Sequence, residues 1–413
     1  MATAAPHERR PGPGAPGVLA PDGPAHVAVV SFLAARAAPT GGFWIALAGG
    51  VALARVAERR GARLGFGASI AAMLETVAII GPARFGIPLT QAVTAPLLGR
   101  LEARGVAAWI QVGACALLRL LHNSATTAFF IWVIAGGLDA YAGTYDAVGR
   151  RLGLEVGTAE ALALTAAGLL AWAAFASVVQ VLVYRRGLRD WEARASAATG
   201  LPATALPPPA GAAASPAARR APRRRWRPGV VSVLALAGFV TLLATTHWLA
   251  LAAVAAALAL AWALAPTDRE PVPTGLLFAA ILAGGALIFA VGAGLGAEQV
   301  LRRSSRAALL VLVATWMRAA AGAEGLRAVF HALLGRLRRA PSVAEAARVL
   351  DGIDSERRLA AAGRSLAAEL GEVAKRPLAL LDAVLGWVVR ESLRRDARGE
   401  QEVVEERRRE PRL

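Results

Sequence analysis

Runs of apolar residues long enough to cross a bilayer recur along this chain, a spanning helix needing about 20 of them. Phe43 to Ala57 is a short run, and Gly65 to Ile80 is a second with Glu75 inside it. Gly105 to Leu121 and Ser124 to Leu138 follow, close together. Ala159 to Tyr184 is the longest and cleanest, closed on a basic side by Arg185 and Arg186. Further on, Val230 to Thr246 and Trp248 to Ala265 form a hairpin, and Gly275 to Gly292 is another run. Between Pro82 and Arg104 the chain is apolar but interrupted by Pro88 and Pro96. Each proline removes a helix hydrogen bond. The stretch is therefore either a re-entrant or kinked span buried in protein, or a loop at the membrane interface.

Charge sets the orientation. Residues 185–228 hold a Pro/Ala-rich stretch and then Arg219, Arg220, Arg223, Arg224, Arg225 and Arg227, which the positive-inside rule assigns to the cytoplasm. Three crossings from there leave the chain outside near Gly294, yet everything after Arg318 is strongly basic and belongs inside. One more crossing is needed, and Ala297 to Met317 is the candidate. It carries Arg302, Arg303 and Arg306 in its first half. The first two are expected to snorkel to the outer interface, whereas Arg306 lies deeper and needs a partner or a cavity. The competing reading is an interfacial helix that does not cross.

After Glu324 the period becomes amphipathic. Leu326, Val329, Phe330, Leu333, Leu334 and Leu337 form one stripe, opposite Arg327, His331, Arg336, Arg338 and Arg339. Pro341 ends that helix. Ser342 with Glu345 reads as a capping box for the next. Ser355 to Lys375 and the run from Pro377 to Val389 continue the pattern. Such helices are too polar to span and are expected along the cytoplasmic face or on a soluble partner.

The 413 residues are 56% hydrophobic and 18% charged, which excludes a disordered chain and argues against a soluble enzyme. The net charge is +17, and all but one of the 46 basic residues are arginine, Lys375 being the exception. With that lysine after Ala374 there is no Walker phosphate loop. The single Cys115 excludes an intrachain disulfide, the five histidines form no spaced pair, and no metal constellation is evident. No enzyme activity and no cofactor are therefore expected. The arginine cluster beside a span follows the positive-inside rule, so nucleic acid is not an expected partner. Residues 1–25 read as a disordered cytoplasmic tail, 26–184 as a first transmembrane domain and 185–228 as a basic linker. Residues 229–317 read as a second transmembrane domain, 318–399 as cytoplasmic amphipathic helices and 400–413 as a charged tail. The fold class is all-α, a multi-pass membrane protein of about eight or nine spans plus the cytoplasmic helices. Glu75 is either a proton or cation site or a carboxylate paired with a nearby arginine. Gln91, Gln111, Arg119, Asn123, Thr126 and Thr127 are polar groups at membrane depth, candidates for ligand contacts or for helix-to-helix bonds.

Gly296-Ala297-Glu298-Gln299, then Arg306, an apolar run to Met317, and Leu333-Leu334-Gly335-Arg336-Leu337-Arg338-Arg339 stand in a recognisable order. Residues of about 229–400 resemble the transmembrane T component of bacterial energy-coupling factor transporters. In that family, cytoplasmic coupling helices end in short Ala-Arg-Gly motifs that dock on two ATPase subunits. The resemblance implies this role for Ala397-Arg398-Gly399. Arg364, in Gly363-Arg364-Ser365, and Arg104, in Ala103-Arg104-Gly105, are the other candidates; the Arg364 motif departs from the family's. It further implies an inner-membrane importer of a small nutrient, a vitamin or a metal ion. ATP would be bound by partner subunits, and the substrate by a membrane subunit or a fused module in the first half. From another class comes a non-transporting scaffold whose basic helices bind a partner protein or anionic lipid. A third option is a secondary transporter using Glu75.

Overall fold

The structure is a computed structural model that describes residues 20–38, 41–82, 87–199, 226–264, 268–269, 271–354, 356–370 and 376–409. It is all-helical, with no strand among the described residues. The first half holds α1 (Asp22–Ala37), α2 (Gly42–Arg60), α3 (Ala62–Ile80), α4 (Ile87–Ala103), α5 (Ala108–Phe129), α6 (Leu138–Arg151), α7 (Thr158–Arg189) and α8 (Trp191–Thr199). The second holds α9 (Pro228–Ala244), α10 (Trp248–Leu264), α11 (Pro271–Gly292), α12 (Ala297–Arg336), α13 (Pro341–Gly352), α14 (Glu356–Leu370) and α15 (Pro377–Arg409).

Apolar surface divides these helices into two kinds. The exposed large hydrophobic side chains concentrate on α5, α7, α9, α10 and α11, Leu117, Phe175, Val233, Leu249 and Ile281 among them. Water disfavours such a belt, and lipid accepts it. The helix α2 is the opposite case. Every residue from Ile45 to Ala57 is buried, sheathed by α1, α3, α4, α7 and α15. The run expected there forms a helix with no exposed residue from Ile45 to Ala57, and it is not among the helices long and apolar enough to cross a membrane. At its contact with α4, a Cβ on Gly99 would collide with the Ala54 carbonyl, so only glycine allows this approach of the two backbones.

Among the described residues, α3, α7, α11, α12 and the run Ala108–Ala135 are long and apolar enough to cross a membrane; α9 and α10, of 17 residues each, are apolar but shorter. Three corrections account for most of the difference from eight or nine spans. The two runs expected at Gly105–Leu121 and Ser124–Leu138 are one helix, α5, which continues through a π-helical end, Phe130–Ala135. The polar His122-Asn123-Ser124 contains neither Gly nor Pro and does not break it. The run at Phe43–Ala57 is internal, as described. The segment with two prolines, expected as a re-entrant or kinked span buried in protein or as an interfacial loop, is the helix α4, packed on α2 and α3, so the loop is the alternative that falls.

The chain also stays folded beyond the expected domain limits. The α1 helix begins inside the expected N-terminal tail, and Leu188 and Trp191 are buried past Arg185, where the linker was expected. Trp191 lies under the Arg55 guanidinium, 5.7 Å from the ring centroid. The remainder of that tail and of that linker lies outside the described residues.

The amphipathic helices find their apolar partner within the chain. The α13 helix packs on α3, α14 on α1, and α15 on α1, α2 and α8, with Val349, Leu350, Leu359, Leu366, Val384 and Val388 buried. Pro341 occupies the first position of α13, where its missing N–H costs nothing. Ala340 is thus the N-cap, and the expected Ser342–Glu345 capping box does not form. Glu345 pairs instead with Arg63 at 2.6 Å and Arg348 at 3.1 Å.

Pro96 lies inside α4, so the Ala92 carbonyl loses its usual N–H donor. The Ser69 hydroxyl of α3 donates to that carbonyl. Ser69→Ala should leave a buried carbonyl without a partner and cost about 1–3 kcal/mol. In a thermal melt of the detergent-solubilised protein, Ser69→Ala combined with Pro96→Ala should recover part of that loss, since residue 96 regains its N–H.

Candidate functional site

Arginines on α12 reach out of their own helix to the C-terminal carbonyls of others. The Arg306 Nε donates to the Leu242 carbonyl at 2.5 Å and an Nη to Leu243 at 3.0 Å, the last turn of α9. Arg303, expected to snorkel, donates to the Ala135 and Gly136 carbonyls at 2.5 and 3.0 Å, where α5 and its π-helical end finish. Arg318 donates to Ile79 at 2.6 Å, near the end of α3, and pairs with Glu356 at 2.9 Å. Arg327 donates to the Leu350 carbonyl and, at 2.8 Å, to Ile353, where α13 ends. Helix C-termini carry unsatisfied carbonyls and a partial negative charge. A guanidinium fork answers both. Arg302 does neither; it pairs with Glu298 and stands over the Trp248 ring at 5.8 Å.

Glu75 is buried in α3, and its Oε2 lies 3.6 Å from the Arg327 Nε, within ion-pair range. Of the two sequence readings, a carboxylate facing a nearby arginine is what the geometry contains. Between Arg318 and Arg327 the α12 backbone breaks at Gly322, with φ 71° and ψ 166°, a region essentially restricted to glycine.

A second polar constellation lies between α4, α5 and α7. Arg119 donates to Gln180 Oε1 at 2.6 Å. The Gln180 Nε2 donates to Thr94 Oγ1 at 2.7 Å, and Thr94 back-bonds to the Thr90 carbonyl at 2.6 Å. All of Arg119, Gln180, Thr94 and Thr90 are buried. Around this relay, buried polar atoms have no hydrogen-bond partner: Arg119 Nε, Asn123 Nδ2 one turn along α5, and Ser177 Oγ one turn back along α7. Gln91 is buried on α4, its Oε1 also without a partner. Gln111 is occupied elsewhere, donating to Glu102 at 2.7 Å and to the Val106 carbonyl at 2.9 Å, while Glu102 holds Arg185 at 3.1 Å. Thr126 back-bonds to the His122 carbonyl at 2.9 Å. Cys115 is buried one turn from Arg119. The side chain of Pro88 lies outside the described residues.

The candidate docking residues fall on three separate elements. Arg104 is exposed in the turn between α4 and α5, Arg364 is exposed on α14, and Ala397, Arg398 and Gly399 are on α15. The side chains of the last three lie outside the described residues. Gln180, Thr94 and Ser177 escaped the sequence reading because each stands in a strongly apolar helix. The signal that could have found Gln180 and Ser177 is their spacing of three residues, which puts both on one face of the longest clean span.

Arg327→Met would leave Glu75 buried without its counter-charge. Both single variants, Arg327→Met and Glu75→Gln, should lower the melting temperature. In a double-mutant cycle the pair should couple by about 1–3 kcal/mol, with the double variant losing less than the sum. Additive losses would mean that the two groups do not interact.

A comparison of the chain with protein-family models, with curated proteins and with solved structures returns no match.

Proposed function

We propose that this chain is the membrane-embedded component of an importer of the energy-coupling factor type. It passes motion from separate ATPase subunits to spans that take up a small nutrient, and it sits in the bacterial inner membrane with α13 to α15 on the cytoplasmic side. One observation supports this reading above the others. The terminal helices are joined to the membrane bundle rather than tethered to it, with α13 on α3 and α15 on α1 and α2 through buried apolar stripes. Polar ties add to the joint: Arg395 holds Asp354 at 2.5 Å, and Arg194 holds Asp382 at 3.0 Å. A displacement of these helices moves α1 to α3 as a rigid body. The scaffold reading asks the same basic helices only to bind a partner protein or anionic lipid, and gives no role to their joint with the bundle.

Purification of the full-length chain from native membranes in mild detergent, followed by mass spectrometry, should recover a pair of ATPase subunits. Arg398→Glu should lose them. Retention of every partner after that change would count against the docking role. Orientation is testable separately. Cys115 is buried, and a side chain on Gly335 of α12 would meet open space. Gly335→Cys should therefore react with a membrane-impermeant maleimide in inverted vesicles and not in intact cells. The opposite pattern would overturn the reading.

A further inference from the structure

The structure buries four arginine side chains among its described residues: Arg55, Arg119, Arg306 and Arg318. Two of them meet carboxylates, and a third takes up two carbonyls at the negative end of a helix dipole. Arg55 has Glu58 at 2.7 Å and also Glu192. Arg318 has Glu356 at 2.9 Å, with the Ile79 carbonyl beside it. Arg306 has two carbonyls of a helix end. Arg119 has one neutral amide oxygen, from Gln180, and no carboxylate among the described residues. A buried, unpaired charge is among the costliest features a fold can carry.

The surroundings of Arg119 are rich in donors that remain free. Its own Nε, the Asn123 Nδ2 and the Ser177 hydroxyl point to a missing acceptor. The relay next to it runs one way, from Arg119 through Gln180 and Thr94 to a backbone carbonyl, so it fixes the guanidinium without neutralising it.

We propose that Arg119, with Asn123 and Ser177, forms a binding site for a small monoanion of the carboxylate type between α4, α5 and α7. The guanidinium fork matches a carboxylate in geometry. A single cation balances a single negative charge, and a dianion would leave one uncompensated at low dielectric. Arg119 stands about 16 Å along the axis from the start of α5, at 1.5 Å per residue, within an apolar run of 28 residues. A free solute and a lipid headgroup both supply such an anion, and the composition of the bilayer used in the test separates them. The inference deepens the transport reading and rests on it for the purpose of the site, naming the class of solute the first half takes. Binding and ATPase association are nonetheless measured independently.

The full-length protein is reconstituted in nanodiscs of neutral phosphatidylcholine and melted with acetate, pyruvate or benzoate, and with succinate and chloride as controls. A monocarboxylate about a hundredfold above its Kd should raise Tm by about 3–5 °C, and succinate should raise it less. Arg119→Leu should melt without ligand at or above the wild-type temperature, because it removes an unpaired buried charge, and should show no ligand shift. Asn123→Leu, outside the Arg119–Gln180 bond, should keep the fold and weaken the shift, which holds the test open if Arg119→Leu does not fold. The proposal is overturned if no monocarboxylate stabilises the wild type, or if Arg119→Leu keeps the shift. It is equally overturned if Arg119→Leu folds but is destabilised without ligand, as loss of a purely structural tie would require. Stabilisation seen only when anionic phosphatidylglycerol replaces the neutral lipid would assign the site to a headgroup and overturn it too. Retention of the ATPase pair by Arg119→Leu, with the ligand shift lost, separates a failed anion site from a failed transport reading.

Discussion

A guanidinium set against the open end of another helix is the interaction on which this architecture depends. A helix finishes with carbonyls that its own backbone cannot satisfy. Four arginines of α12 meet that need for α5 with its π-helical end, for α9, for α3 and for α13. Each bond is charge-assisted, and each ties α12 to a different element. The same side chains would be costly if they faced lipid. Their placement on one helix turns four separate requirements into one connected frame.

Around that frame the chain separates what touches lipid from what does not. Two large apolar cores result, beside a small cluster of Ile131, Ala135 and Tyr141. One is built on α1 to α4 with α7 and the terminal helices, the other on α9 to α12 with Ala78 of α3 and Val133 and Ile134 of the π-helical end. Phe330 of α12 packs against both. The α2 helix with Arg55 and α3 with Glu75 bury their charges within the protein, and the helices with apolar faces to spare form the rim, α5 turning its Arg119 inward. Hydrophobicity alone does not distinguish the two kinds, because a helix sheathed by other helices and one facing lipid are both apolar.

That ambiguity explains what could be read from the residues and what could not. The α7, α9, α10 and α11 helices fall within a few residues of their apolar runs, because length and composition dictate a helix there. The burial of Trp191 beneath Arg55 was not legible after Tyr184, since it depends on α2 lying alongside. Pro96 reads as a break, and only the Ser69 hydroxyl arriving from α3 makes the helix tolerable. The two apolar runs on either side of His122 and Asn123 read as separate, yet polar residues without Gly or Pro do not end a helix, and Thr126 back-bonds to the His122 carbonyl within it. For Arg306 the need for a partner was legible, whereas its identity as the end of α9 belongs to tertiary structure. Among the site residues, Arg119 could be singled out from sequence, but the lack of a carboxylate beside it could not.

The break at Gly322 is held shut rather than left free. On one side of it Arg318 donates to the Ile79 carbonyl, and on the other Arg327 faces Glu75. Glu75 and Ile79 are one turn apart on the same face of α3. The two arms of α12 are therefore clamped to a single helix, and α13, which follows α12, packs along that helix as well. A force applied to the terminal helices meets no loose joint at the glycine. It passes into α3, and from α3 into α2 and α4, the helices that α3 packs against. The α4 helix carries Thr94, the last side chain of the relay that positions Arg119. One connected route from the terminal helices to the buried Arg119 thus runs through packed helices and two clamped arginines, without crossing a flexible segment among the described residues.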